Sequence, residues 1–145
     1  RKPLPLYTTL PAALASTGKR VLIVDLDPQG HVAVSLNLEP DLCVTNWLLH
    51  PILKDEPDTP EITNHWLRST RIDNLFLLPG NQTTAKAQRF LAMEERPINY
   101  LRDRLPPLRR IGFDYLLFDT PPSTGGLQGM AAWAADLAVI GSSLD

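Results

Sequence analysis

The chain has 145 residues, 43% of them hydrophobic, which is enough for one domain with a buried core. Its 14 Lys and Arg and 16 Asp and Glu leave a net charge of −2, so net charge gives no support to nucleic-acid binding. The single cysteine, Cys43, cannot form an internal disulfide, and no apolar run approaches the ~20 residues that a membrane helix needs. Together these features predict a cytoplasmic protein.

Strands and helices are predicted to alternate along the chain. The first half of the chain is predicted to contain a helix over Leu10–Ser16 closed by Gly18, a strand over Val21–Asp25 and a surface loop over Pro51–Pro60. A strand over Leu75–Leu78 and a helix over Thr83–Glu95 follow, and then a helical stretch from Ile98 to Leu108 that Pro106–Pro107 should break or bend. The last predicted elements are a strand over Tyr115–Asp119, a helix over Leu127–Ala135 and a strand over Leu137–Gly141. The four strand runs are continuously apolar, as in strands buried on both faces of a parallel sheet. The sequence therefore predicts a doubly wound, mostly parallel α/β sheet with helices on both faces.

Carboxylates follow two of the predicted strands. Asp25 and Asp27 come at the end of the first strand, and Asp119 ends the third. Ligands of doubly wound sheets bind beyond the carboxyl ends of the strands, and phosphoryl transfer needs an acid that supports magnesium and a group that orients water. Asp119 suits the first role and Asp27 the second. Aspartates at strand ends also serve as caps and turn formers, so spacing alone leaves both interpretations open.

Two motifs resemble one known family. The segment Gly18-Lys-Arg-Val-Leu-Ile-Val-Asp-Leu-Asp-Pro-Gln-Gly30 is similar to the strand and first switch of ParA-type partition ATPases, and Phe113-Asp-Tyr-Leu-Leu-Phe-Asp-Thr-Pro-Pro-Ser123 to their Walker B strand and second switch. The similarity runs over residues 10–140, and residues 1–9 form a degenerate leader. The resemblance implies one partial, AAA-like P-loop NTPase domain over residues 1–145, truncated at both ends and lacking the first strand and the phosphate loop.

The resemblance also implies roles for individual residues. Asp27 would position the attacking water, and Asp119 would support Mg²⁺ through a bound water. Asp25, Pro28, Gln29 and Gly30 would form the first switch, and Thr120, Pro121, Pro122 and Ser123 the second. Family members use ATP and Mg²⁺, form homodimers, bind DNA or a membrane, and are activated by a ParB-like partner. They position chromosomes, plasmids or other cargo in the bacterial cytoplasm, often at the nucleoid; a MinD-like membrane-associated ATPase is an alternative.

The phosphate-binding loop of that family is absent from this sequence. Such a loop reads Lys-Gly-Gly-x-Gly-Lys-Thr-Thr and surrounds phosphates with backbone amides. Residues 1–10 contain no glycine, and Pro3 and Pro5 have no amide hydrogen to donate. We therefore expect no phosphate-binding loop in this chain, no tight binding of ATP and no competence for hydrolysis. The second hypothesis for its function is a non-hydrolysing remnant or interaction module with the same fold.

The origin of the leader has two explanations. Codons for Lys2-Pro-Leu-Pro-Leu-Tyr7, read one base earlier, can encode Lys-Thr-Thr-Thr-Thr-Val, which is close to the family sequence. The leader is thus either a frameshifted phosphate loop or an ordinary proline-rich segment. One basic cluster remains, and we expect it to form a solvated helix face, with a DNA-binding patch as the second interpretation: Arg96, Arg102, Arg104, Arg109 and Arg110.

Overall fold

The computed structural model of the protein describes residues 5–122 and 125–139. Within these ranges the strands are β1 (Val21–Asp25), β2 (Arg68–Ser69), β3 (Leu75–Leu78) and β4 (Tyr115–Asp119). The helices are α1 (Leu6–Ser16), α2 (His31–Ser35), α3 (Cys43–Lys54), α4 (Pro60–Asn64), α5 (Thr83–Met93), α6 (Pro106–Ile111) and α7 (Gly126–Ala134), with a 3₁₀ turn at Arg102–Arg104. None of the helices in the described ranges has the length and apolarity to cross a membrane.

The four strands form one sheet in the order β2-β3-β1-β4. The central strand β1 pairs in parallel with β3 on one side and with β4 on the other. The short strand β2 is antiparallel to β3 at one edge, and β4 forms the opposite edge. Every residue of β1 is buried. The predicted mostly parallel α/β sheet is confirmed.

Both faces of the sheet carry helices, as predicted. On one face, called here the α5 face, Leu22 and Val24 of β1 pack with buried residues of α3, α5, α6 and α7. On the opposite face, called the α1 face, Val21 and Ile23 pack with α1 and α2. The alternation follows from the two-residue period of a strand, which sends successive side chains to opposite faces. Two separate apolar layers therefore hold β1 in place.

Helix α1 begins four residues earlier than the predicted start at Leu10. Pro5 precedes it in an extended conformation with φ −66° and ψ 163°, which suits the entry to a helix. Because of this earlier start, Pro11 lies buried inside the helix and not in its first turn. Gly18 closes the helix as predicted: its φ is +87°, and its N–H donates to the Ala15 carbonyl at 3.0 Å.

Two other proline-based predictions are wrong in part. The predicted break at Pro106–Pro107 is present, since the 3₁₀ turn ends at Arg104 and α6 begins at Pro106, where the first helical positions need no amide hydrogen. The helical stretch predicted from Ile98 is wrong over residues 98–101, which form turns. The predicted loop Pro51–Pro60 is helical at its start, since α3 continues through Pro51 to Lys54. The irregular part is residues 55–59, after which the Thr59 hydroxyl caps α4 by accepting from the Ile62 N–H at 3.2 Å.

The two predictions for the last strands need correction. Residues 137–139 of the predicted strand Leu137–Gly141 are not in a strand, and Leu137 and Val139 are 81% and 63% exposed; residues 140–141 lie outside the described residues. Strand β4 forms over the predicted residues but is half-buried, with Tyr115 exposed. The half-burial of β4 follows from its position at the edge of the sheet, because no described strand lies beside it on its outer side.

The basic cluster is solvated except at Arg104, which is 4% exposed. The Arg104 Nε donates to Asp58 Oδ2 at 2.6 Å, and Nη1 donates to the Leu48 carbonyl at 3.2 Å. The guanidinium also lies over the Trp47 ring, 4.7 Å from its centroid. A charge buried this deeply needs such partners, so this arginine acts as a structural link between the 3₁₀ turn and the α3–α4 loop.

Candidate functional site

The carboxyl ends of β1 and β4 bring two predicted site residues side by side. Asp25 is the last residue of β1, Asp119 is the last residue of β4, and the two are direct partners in the parallel register. The Leu26 N–H donates to the Asp119 carbonyl at 2.8 Å, which extends the pairing one residue past β1. Because β1 and β4 are parallel and their last residues are paired, the two carboxylates lie at one edge of the sheet, as the sequence predicted.

Asp25 is fully buried, with 0% exposure. Its Oδ1 accepts a hydrogen bond from the Asp27 N–H at 3.0 Å, and its Oδ2 has no partner. Burial raises the pKa of Asp25 to about 8, and the charges of Asp119 and Asp27 raise it further against the opposing effect of the Asp27 N–H. At neutral pH this side chain is therefore largely a neutral acid.

Asp119 is half-buried beside it. Burial raises the pKa of Asp119 to about 6, and the Asp27 charge adds to the increase, whereas His31 lowers it. His31 opens α2, directly after the first predicted switch. The edge thus carries a neutral acid and, at neutral pH, an ionised carboxylate next to each other.

Asp27 lies in a tight turn after β1. Its Oδ1 accepts from the Gln29 N–H at 3.0 Å, and its carbonyl accepts from the Gly30 N–H at 3.1 Å. Gly30 has φ +65°, and a Cβ there would lie 2.7 Å from the Gly80 carbonyl oxygen. The turn Asp27–Gly30 is therefore held against the loop that follows β3, and only glycine fits its last position.

The predicted second switch continues from β4. Thr120 and Pro121 are half-buried and Pro122 is exposed, while Ser123 lies outside the described residues. The structure thus brings Asp25, Asp27 and Asp119 together at the sheet edge. The described part of the predicted second switch, residues 120–122, directly follows Asp119 in the sequence.

Tyr7 lies near the three carboxylates, which the sequence did not predict. It lies in the first turn of α1 and packs against the α1 face. Burial raises the pKa of Tyr7, and the charges of Asp119, Asp25 and Asp27 raise it further. All three carboxylates therefore act on this phenol, which places the start of α1 at the carboxylate edge. The sequence signal that could have placed Tyr7 in a first helical turn is Pro5, because proline is common at helix starts.

The start of α1 is where a phosphate would need backbone amides. Pro5 has no amide hydrogen, and the hydroxyls of Thr8 and Thr9 both donate to the Pro5 carbonyl at 2.9 Å. Residues 1–10 also contain no glycine. The described residues of this segment fit a nucleoside triphosphate poorly, because Pro5 supplies no amide and no glycine lets the backbone wrap around the phosphates.

The carboxylates fit the requirements of magnesium better. Mg²⁺ keeps several waters and is held by one or two carboxylates together with substrate phosphates. Asp119 and Asp27 supply such carboxylates, and the buried Asp25 Oδ2 has no partner. In the described ranges no three His, Cys, Asp or Glu residues are grouped as an all-protein metal site. Carboxylates of the kind that support Mg²⁺ are therefore present at this edge, whereas the described start of α1 shows no glycine-rich loop for a phosphate.

An open cleft of about 280 Å³ adjoins the turn. Its lining comes from the turn, the segment before α3 and the start of α5: Pro28, Gln29, Pro40, Asn81, Gln82 and Thr83. Asn81 Oδ1 already accepts from both the N–H and the hydroxyl of Thr83, at 2.9 and 2.7 Å. The cleft contains none of the three carboxylates.

The parallel sheet with helices on both faces and acids at its carboxyl edge defines an α/β protein of the P-loop NTPase class. The sequence profile described as AAA domain matches residues 6–145. The chain therefore belongs to this family and, within it, to the ParA-type partition ATPases.

Individual relatives give the same assignment. The chain is 34% identical over 131 residues to the chromosome partitioning protein ParA of Myxococcus xanthus, covering 90% of this chain and 44% of that protein. It is 34% identical over 134 residues to the sporulation initiation inhibitor protein Soj of Bacillus subtilis, covering 90% of this chain and 49% of the relative. The chain spans about half the length of the curated relatives it matches.

One solved structure is relevant to the cofactor. A cobyrinic acid a,c-diamide synthase from Mycobacterium smegmatis, with a bound ATP analog and magnesium, superposes with a TM-score of 0.68 at 32% identity. The match covers 89% of this chain and 50% of that structure. An ATP analog and magnesium are thus ligands of a protein with this fold.

Proposed function

We propose that the chain carries the water-activating and magnesium-supporting half of a ParA-type ATPase switch, in a form that does not itself hydrolyse ATP. The observation that supports the first part is the in-register pair Asp25 and Asp119, with Asp27 in the turn beside it. Asp27 is the residue that orients the attacking water, and Asp119 supports Mg²⁺. The described residues form one partial domain, and the leader over residues 1–9 replaces a phosphate loop.

The loss of hydrolysis rests on the start of α1. A triphosphate carries several negative charges, and the nearby carboxylates repel it unless amides and a lysine compensate. Pro5 offers no amide, and the Thr8 and Thr9 hydroxyls donate to the chain itself. We therefore expect weak or no binding of ATP.

The first experiment measures Mg²⁺-dependent ATP binding to the purified 145-residue chain by titration calorimetry. The expected result is no binding at micromolar concentrations. Micromolar binding would refute the claim that the leader disables the site.

A second experiment tests the roles of the carboxylates separately. Residues 1–9 are replaced by a strand and a Lys-Gly-Gly-x-Gly-Lys-Thr-Thr loop, and ATP hydrolysis is measured with Mg²⁺. Asp27→Asn is expected to lower the hydrolysis rate by about 100-fold or more, the usual contribution of a positioned acid–base group. Asp73→Asn, an exposed carboxyl, serves as the matched control. Equal rates in both variants would exclude Asp27 from the reaction.

For the full-length protein we propose the behaviour that the relatives suggest: a homodimer that partitions DNA or positions cargo, responds to a ParB-like partner and associates with non-specific DNA at the nucleoid. The names of the Myxococcus and Bacillus relatives support partition. Gel filtration and DNA-binding assays on a full-length protein, with and without ATP, test this proposal.

A further inference from the structure

Gly80, in the loop after β3, is surrounded by three elements of the fold. A Cβ at this position would lie 2.6 Å from the Asp25 carbonyl oxygen, 3.0 Å from Val44 Cγ1 and 3.1 Å from Thr84 Oγ1. The φ of Gly80 lies outside the left-handed region that favours glycine. Glycine is therefore required here for space and not for backbone conformation, because β1, α3 and α5 leave no room for a side chain.

The same residue also lies against the turn after β1. The Gly80 carbonyl oxygen would lie 2.7 Å from a Cβ at Gly30, the last residue of that turn. The Gly30 N–H closes the turn by donating to the Asp27 carbonyl at 3.1 Å. Gly80 therefore lies against both the strand end that carries Asp25 and the turn that carries Asp27.

The loop after β3 is bonded to the two helices beside it. The Pro79 carbonyl accepts from the Val44 N–H of α3 at 2.8 Å. Asn81 Oδ1 accepts from the N–H and the hydroxyl of Thr83, at the start of α5, at 2.9 and 2.7 Å. The Thr83 hydroxyl is also hydrogen-bonded to the Thr45 hydroxyl of α3 at 2.8 Å. These bonds fix the loop between α3 and α5.

The turn after β1 is held differently, because the hydrogen bonds that close it lie within it. The Gln29 N–H donates to Asp27 Oδ1 at 3.0 Å, and the Gly30 N–H donates to the Asp27 carbonyl. Gln29 is exposed. A turn closed by local bonds yields more readily than a loop bonded to two helices. A change at Gly80 is therefore passed on to the turn.

We propose that Gly80 is a positioning residue for Asp27. Its missing side chain lets the end of β1 approach the loop after β3, and its carbonyl oxygen supports the turn at Gly30. Together these two contacts set where the Asp27 carboxyl lies relative to the paired Asp25 and Asp119. The functional meaning of this position rests on the proposed role of Asp27 in orienting water, whereas the dependence of the turn on Gly80 does not.

The test measures amide hydrogen exchange by NMR in the 145-residue chain, without nucleotide or Mg²⁺. The reporters are the Gln29 and Gly30 amides of the turn, and the Val21 amide, hydrogen-bonded at the other end of β1, monitors global unfolding. The methyl group added by Gly80→Ala has to displace the end of β1 or the loop backbone, so exchange at both turn amides should speed up by at least about tenfold. Gly129→Ala is the matched control, because a Cβ at Gly129 meets no atom within 4 Å.

The comparison with Val21 separates a positioning role from a purely structural one. A variant that is only less stable exchanges faster at Val21 through global unfolding, whereas turn amides that open locally keep their rates. Unchanged exchange at Gln29 and Gly30 in Gly80→Ala would therefore overturn the proposal. The same holds if the turn amides speed up only by the factor seen at Val21, or if Gly129→Ala has the same effect on the turn.

If Gly80→Ala does not fold, Asn81→Ala carries the test, since it adds no atom. It removes the oxygen that accepts two hydrogen bonds in the loop. We expect exchange at Gln29 and Gly30 to speed up about fivefold, the equilibrium effect of one lost hydrogen bond. Gln82→Ala, at an exposed neighbour whose side chain makes no capping bond, is the control and should leave the turn unchanged. Equal exchange in the two variants would show that the loop does not position the turn.

The functional consequence is measured separately, in the chain with a restored phosphate loop. There Gly80→Ala should lower kcat for ATP hydrolysis about 10–100-fold, as for a misplaced catalytic group, and leave KM within about twofold. Faster exchange in the turn with an unchanged kcat would refute the proposed role of Asp27. Unchanged exchange in the turn would instead refute the positioning by Gly80, so the two failures are distinguishable.

Discussion

Replacing the buried Asp25 carboxyl by an amide should remove most of the pH dependence of stability between pH 6 and pH 8. Burial raises the pKa of Asp25 from 3.8 to about 8 in the folded chain. In this pH range the folded state keeps a proton that the unfolded state releases. The free energy of unfolding therefore falls as pH rises, because the contribution is complete below about pH 4 and lost through pH 8.

The magnitude follows from the size of the shift. Each pH unit within the window costs at most about 1.4 kcal/mol, so raising the pH from 5 to 7 should lower the stability by about 2–3 kcal/mol. Asp119, whose pKa is raised to about 6, adds to this loss between pH 4 and pH 6. Asp25→Asn keeps the shape of the neutral acid but cannot ionise, so its stability should be nearly flat from pH 6 to pH 8.

Urea unfolding at several pH values, in EDTA and without Mg²⁺, measures this slope. Asp73→Asn is the matched control, because it removes an exposed carboxyl and should retain the wild-type slope. Asp119→Asn should flatten the curve below pH 6 and lower the pKa of Asp25. Parallel curves for the wild type and Asp25→Asn between pH 6 and pH 8 would refute the assignment of a buried, protonated acid.

Three further comparisons, two between paired substitutions and one between native and unfolded chain, test the packing of the fold. Arg104→Ala should lower the free energy of unfolding by about 3–5 kcal/mol, because it breaks a buried ion pair. Arg68→Ala breaks an exposed ion pair and should lower it by less than about 1 kcal/mol. Equal losses of the two variants in urea unfolding would contradict this difference. Gly30→Ala should cost about 2 kcal/mol more than Gly18→Ala, since both have positive φ but only Gly30 meets a carbonyl oxygen. The Cys43 thiol, buried and with its pKa raised to about 11, should react with a disulfide reagent only after unfolding; rapid reaction of the native chain would show that it is accessible.

The sequence predicted the elements whose signals are local. The strands β1, β3 and β4 were predicted within their actual bounds, because continuous apolar runs of four or five residues mark strands of a parallel sheet. The proximity of Asp25 and Asp119 was also predictable, because each is the last residue of a strand and parallel strands end at the same edge of the sheet. The predictions of burial that were wrong depended on contacts between residues distant in sequence. The exposure of Tyr115 comes from the edge position of β4, which no local pattern encodes.

Proline signals were misleading for a related reason. A proline marks a helix start as readily as a break, and the difference depends on which amides need partners. The predicted break at Pro106 is also a helix start, whereas Pro51, predicted to open a loop, lies inside α3. The burial of Arg104 was not predictable, because its partner Asp58 is 46 residues away in the chain. Tyr7 was missed because α1 begins before the family-like region.

The acidic side chains at the carboxyl edge of the sheet lower the stability of the folded chain. Asp25 is fully buried, and its Oδ2 has no partner, so an apolar residue of similar size would make β1 more stable. The neighbouring Asp119 adds repulsion whenever both ionise. Sequences that break a local rule in a core strand usually do so at functional sites. The phosphate side lacks its amides, yet these acids lie in register at the edge where ligands of doubly wound sheets bind. The position of these acids therefore supports the proposed role in phosphoryl chemistry over a purely structural role for the edge.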